Sequence, residues 1–162
     1  MTTPFPDASS KPSFGAPQAI LWGGLIAGAL DATDGVVAFA FNGLNPIQVL
    51  QYIASGFLGK AAFSGGLSAA GLGVLIHFSI AFVVAAIYVL LSKPVSALRT
   101  QAVPLGLAYG VAVYLVMTYV VLPMSAVAPS PFSLPLFLNG IIGHALFVGL
   151  PIALFSRQLG HS

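Results

Sequence analysis

The stretch from Ala19 to Phe41 holds 23 residues and only three polar side chains, of which two are the carboxylates Asp31 and Asp34. At about 1.5 Å per residue a helix of this length reaches roughly 34 Å, enough to cross the hydrocarbon of a bilayer with some tilt. A carboxylate near the middle of such a span costs about 3 kcal/mol or more to insert, so Asp31 is expected to face protein, water or a ligand and not lipid. Asp34 follows three residues later and therefore shares its helical face. Gly24, Gly28 and Gly35 extend that face as a smooth ridge against which another helix can pack.

The rest of the chain agrees with a membrane environment. A composition that is 58% hydrophobic and 5% charged excludes an ordinary soluble domain. Five basic residues against three acidic ones are too few for a nucleic-acid footprint and read instead as topology signals. The absence of Cys removes thiolate metal sites, thiol nucleophiles and disulfides from consideration.

Residues 1–18 contain four prolines with Ser, Thr, Asp7 and Lys11, and are expected to form a disordered tail without the shape of a cleaved signal peptide. A single transmembrane domain over 19–157 follows, with spans at about 19–41, 66–91, 102–122 and 136–155, and a short C-terminal tail at 158–162. Asn42, Gly43, Asn45 and Pro46 break the first span, and Pro46 suits the first turn of a new helix. From 46 to 60, apolar residues recur at helical spacing between Gln48, Gln51 and Ser55. That segment is too short to span, and reads as a helix lying in the interface or folded back on the bundle. Pro94 stops the second span, four prolines between Pro123 and Pro135 make the outer connection, and Pro151 is expected to kink the last helix.

The fold class is thus all-α: a polytopic membrane four-helix bundle plus one short interfacial helix. A weak internal repeat runs through it. Gly73 precedes His77 by four residues as Gly140 precedes His144, Trp22-Gly23 aligns with Tyr109-Gly110, and Ser92-Lys93 matches Ser156-Arg157, as in two duplicated helical hairpins. Lys11, Lys93, Arg99 and Arg157 fall on one side of four spans against Lys60 on the other, which sets both termini in the cytoplasm.

Counting about 1.5 Å per residue from the outer span ends places Asp34 about 10 Å deep, His144 about 12 Å, Asp31 about 15 Å and His77 about 16 Å. An Asp at such a depth can orient and charge a His, while the His relieves the desolvation of the Asp. Asp31 and His77, the closest in depth, are expected to pair. Asp34, His144, Asn139 and the hydroxyls of Tyr114 and Thr118 complete a candidate binding or proton-relay set. Each of these residues also has a structural reading, as an interhelical hydrogen bond or a packing residue.

The runs Ala54-Ser55-Gly56-Phe57-Leu58-Gly59-Lys60-Ala61-Ala62-Phe63, Gly73 to His77, and Tyr109-Gly110-Val111-Ala112-Val113-Tyr114-Leu115-Val116-Met117 resemble small bacterial inner-membrane proteins of unknown function, nearest the YagU-like group. The resemblance implies a multi-pass protein of the bacterial inner membrane with four spans, and it carries over no catalytic residue. Three functions remain open. One is a small transporter or proton- or ion-conducting bundle, whose pathway would need a homo-oligomer or would lie between the two hairpins. Another is a redox module with His77 and His144 as haem ligands or quinone contacts. The third is an accessory subunit of a membrane complex. An enzyme is least favoured, since no nucleophile motif accompanies the Ser, His and Asp residues. No feature of the sequence selects a metal or a cofactor.

Overall fold

The structure, a computed structural model, describes residues 15–159. They form six helices: α1 (Ala16–Ala40), α2 (Pro46–Leu58), α3 (Gly66–Leu91), the single turn α4 (Ala97–Thr100), α5 (Ala102–Met124) and α6 (Leu134–Ser156). Four of them, α1, α3, α5 and α6, are long and apolar enough to cross a membrane. Large apolar side chains such as Leu21, Val37, Leu75, Val83, Val116 and Ile142 point outward, while the buried positions are dominated by alanine, including Ala19, Ala27, Ala54, Ala85 and Ala153. This is the arrangement hydrocarbon favours, because lipid solvates the large residues and small ones let backbones approach.

Helix α1 begins at Ala16 and not at Ala19. The Gln18 side chain accepts a hydrogen bond from Gly15 N–H at 2.7 Å, and Pro17 occupies the first turn, so 16–18 belong to the span and not to a tail. Residues 1–14 and 160–162 of the expected tails lie outside the described residues. At the other end, Leu159 is buried against Ala19 and Val89, so the chain after α6 is held to the bundle.

The breaker before α2 acts through a reciprocal cap. Asn45 Oδ1 accepts from Gln48 N–H at 3.0 Å and Gln48 Oε1 accepts from Asn45 N–H at 2.9 Å, with Pro46 in the first turn. Helix α2 folds back along α3: Gly73 gives the Leu50 carbonyl its room, and Gln51 Nε2 donates to the Gly66 carbonyl at 3.0 Å. The reversal from α2 to α3 passes through a 3₁₀ segment, Gly59–Ser64, bounded by Gly59 and Gly66 at φ of 55° and 58°, a region other residues enter at a cost.

Two of the spans change pitch midway. Met117–Val121 in α5 and His144–Gly149 in α6 are π-helical. Each precedes a proline, Pro123 or Pro151, whose ring would strike the carbonyl four residues earlier, and a widened turn relieves that clash without ending the helix. Pro123 therefore does not stop the third span, which continues to Met124.

Around the bundle the helices follow the order α3, α1, α6, α5. Helix α1 packs on both α3 and α6, and α5 on α6, but α3 and α5 hardly touch. The α5–α6 crossing brings backbone against backbone, since Gly110 faces the His144 carbonyl and Gly149 faces the Gly106 carbonyl with no side chain between. At the end nearest Lys93 and Arg157, the repeat-matched serines meet. Ser156 Oγ donates to Ser92 Oγ at 2.7 Å, Ser92 Oγ donates to the Val89 carbonyl at 2.8 Å, and both residues are fully buried. A strict two-fold relation between hairpins would make the α1–α6 and α3–α5 contacts alike, and they are not.

Replacing Ser156 with Ala should cost about 1 kcal/mol, the usual worth of one buried hydrogen bond, because Ser92 keeps its own acceptor. Reversible unfolding of the purified protein in mixed detergent would measure this. A loss beyond a few kcal/mol would show that the serine pair fixes more than one contact.

Candidate functional site

The two acids of α1 meet α6 on two consecutive levels. On the first, Asp34 Oδ2 accepts from Asn139 Nδ2 at 2.9 Å, and Gly143, one turn further along α6, leaves the space its carboxylate fills. A side chain at 143 would collide with that carboxylate, so Gly143 belongs to the site although only spacing, and no chemistry, marks it in the sequence. One turn deeper, Asp31 Oδ1 stands 3.5 Å from His144 Nδ1. That is close enough for electrostatic pairing and too long for a good N–H···O bond, and the buried Nδ1 has no hydrogen-bond partner.

The expected Asp31–His77 pair is replaced by Asp31–His144. His77 instead donates through Nε2 to the Gly28 carbonyl of α1 at 2.8 Å. With Nε2 carrying the proton, Nδ1 of the neutral ring is left as an acceptor. His77 still faces the same space as the pair, because Asp31, His77 and His144 all line one half-enclosed cavity of about 640 Å³.

The other candidates divide. Tyr114 lies over Gly140 and makes an edge contact with His144, ring centroids 5.3 Å apart, so it buttresses the imidazole from α5. Phe137 packs on the far side of the tyrosine at 5.8 Å. Thr118 falls in the π-helical turn of α5 and does not join the cluster, since the widened turn breaks the spacing of four that aligned it with Tyr114. Among the described residues, no group of three or more His, Cys, Asp or Glu side chains could hold a metal ion.

The cavity lies between the α1–α3 hairpin and the α5–α6 hairpin, within a single chain. Its longest walls are apolar: Ile76, Ile80 and Val84 from α3, Val113, Met117 and Val121 from α5. Both π-helical turns contribute to it, through Met117 and Val121 and through His144 and Val148. At the end away from Lys93, α2 supplies Tyr52, Ile53, Gly56 and Phe57, opposite the connection Ser125–Val127. Sequence reasoning missed these α2 residues, since nothing in their spacing says which way a short helix folds. Burial pushes the Tyr52 phenol above its ordinary pKa, so it stays a neutral donor at physiological pH.

The two ends of the α3–α5 gap are closed differently. Near Lys93, Tyr109 Oη donates to the Val84 carbonyl at 2.7 Å and its ring meets Tyr88 at 4.9 Å. At the opposite end a backbone bond, Ala126 N–H to the Gly56 carbonyl at 2.9 Å, joins α2 to the α5–α6 connection.

An intramembrane Asp–His pair beside a second histidine can hold, pass or share a proton, and the cavity can admit a molecule of modest size next to it. No protein-family profile, curated protein or solved structure matches the chain.

Proposed function

We propose that the protein is a small proton-linked transporter or conducting bundle of the bacterial inner membrane, with both termini cytoplasmic. One observation carries this reading: three titratable side chains from three different apolar helices, Asp31, His77 and His144, converge on one cavity inside the bundle. Keeping such groups in hydrocarbon is costly, and intramembrane acids and histidines that face a cavity mark ion pathways more often than they mark packing. Asp31 and His144 would exchange a proton between carboxylate and imidazole, Tyr114 would hold the imidazole in place, and His77 would accept through its free Nδ1. Because the cavity lies between hairpins of one chain, the proposed pathway needs no second copy.

The haem alternative loses support at His77, whose Nε2 is engaged by the Gly28 carbonyl. An enzymatic reading gains nothing from Ser92 and Ser156, which bond to each other at the other end of the bundle.

Proteoliposomes containing the purified protein, loaded with a pH-sensitive dye and given a pH step, should equilibrate faster than protein-free vesicles. Equal rates with and without protein, under a range of membrane potentials, would reject the proposal.

The orientation has its own test. Ser96 and Ser130 are both exposed and lie in connections on opposite sides of the bundle. In intact cells a cysteine at Ser130 should react with an impermeant thiol reagent and one at Ser96 should be protected. The opposite pattern would invert the topology.

A further inference from the structure

We infer that the cavity takes a neutral lipophilic molecule with a compact carbonyl-bearing head, of the quinone class, and that this molecule enters sideways from the bilayer between α3 and α5. The inference rests on reading the Asp31–His144–His77 cavity as the working site, and four features of that cavity define the occupant.

Entry is defined by the packing. Helices α3 and α5 hardly touch, whereas every other neighbouring pair of spans is in close contact. Between the Tyr109–Val84 bond at one end and the Ala126–Gly56 bond at the other, the gap is bordered by apolar residues of both helices, Ile80 and Val113 among them. The outer faces of those helices are built for lipid, with Val83, Ile87, Val116 and Val120 exposed. A gap with apolar lips, set among faces that are apolar except for Ser79 and Tyr119, adjoins hydrocarbon and not water, so the molecules that reach it are those dissolved in the membrane.

The body of the occupant follows from the walls. Ile76, Ile80, Val84, Val113, Met117 and Val121 offer no hydrogen bond, and a volume of about 640 Å³ suits a ring or chain of modest size.

The head follows from the polar end. Asp31 and His144 together carry no net charge whether the proton sits on one or the other, and a further full charge in this surrounding would be uncompensated. The head is therefore neutral. Its bonding character is set by the imidazole of His144, which lines the cavity beside Asp31. A carbonyl oxygen can accept from an imidazole N–H. Binding of this kind moves no electron and breaks no bond.

The test is equilibrium binding of radiolabelled decylubiquinone to the full chain in lipid nanodiscs, with empty nanodiscs subtracted. Binding should saturate near one molecule per chain, resist competition by undecanoate, and weaken about tenfold or more in V113F, which fills the gap, and in H144F, which keeps a ring but removes the nitrogen. I87F, on the lipid-facing side of α3, serves as the control and should bind as the unchanged protein does. The inference is overturned if binding does not exceed that of empty nanodiscs, if undecanoate competes as well as unlabelled decylubiquinone, or if V113F and I87F bind alike while both remain folded. Failure here is distinct from failure of the proposed function: a chain that speeds pH equilibration yet binds no decylubiquinone keeps its pathway and loses this ligand. One that binds decylubiquinone without proton flux keeps the ligand and loses the pathway.

Discussion

Gly110→Val should separate α5 from α6 and leave little folded protein. A Cβ at this position would land on the His144 carbonyl oxygen and close to the Cα of Ala145, all backbone, so no side-chain rotation can make room. Overpacking of a tight contact commonly costs about 1–3 kcal/mol, and more where only backbone can yield. Gly110→Ala should show a smaller form of the same defect, because the first carbon already collides. The measurement is the yield of monodisperse protein after detergent extraction, together with the unfolding midpoint. Gly35 lies in α1 with nothing within 4 Å of its would-be Cβ, and Gly35→Ala should leave both unchanged. A Gly110→Val protein as stable as the Gly35→Ala one would mean that the α5–α6 crossing is looser than described.

Asp31→Asn should remove proton flux, by at least about tenfold on the scale of a lost proton-relay group, while the bundle survives. An amide keeps the shape of the carboxylate and can still meet His144 Nδ1, but it neither binds nor releases a proton near neutral pH. Asp31→Leu separates the two roles further. If the pair serves only as glue, leucine should be harmful or even stabilising, because burying charge is not favourable in itself, and asparagine should be tolerated. If the pair is functional, both substitutions stop flux and both proteins fold. Flux in proteoliposomes and the unfolding midpoint, measured on the same preparations, decide between these outcomes. Undiminished flux in Asp31→Asn would remove Asp31 from any pathway.

Much of this architecture is readable in the residues. A span with two acids three apart must turn that face toward protein, and it does: both carboxylates point at α6. The pairing was legible only to within a turn. Counted from Leu136, His144 comes out too shallow for Asp31, which favours His77. The helix in fact begins at Leu134 and α1 ends at Ala40, and counting about 1.5 Å per residue from those ends sets Asp31 about 13.5 Å deep, His144 about 15 Å and His77 about 16.5 Å. The ends of the helices therefore reverse which histidine lies nearer to Asp31 in depth, and rotation, which sets His77 on the Gly28 carbonyl, completes the choice. Asn139 was legible as a buried polar group but not as the partner of Asp34, since depth along a helix does not give rotation about it. The π-helical turns escaped for another reason: Pro123 and Pro151 announce a disturbance, but whether a helix ends, kinks or widens depends on what its neighbours allow.

The unequal seams of the bundle bear on how it can move. Two hairpins fastened along α1 and α6, and joined across α3 and α5 mainly by Tyr109 with Val84 and Tyr88, resemble the covers of a book, whose natural relative motion is rotation about the spine. Both polar rungs, Asp34–Asn139 and Asp31–His144, lie on that spine and neither lies on the open edge. Under the proposed function, a change of protonation at the spine would alter the spacing of α1 and α6 by a small amount, and the distance across the bundle would magnify it at the far edge, against the Tyr109–Val84 and Ala126–Gly56 bonds. The chemistry of the pair and the width of the gap would then be one mechanical variable, which is the coupling that alternating exposure of a buried site requires.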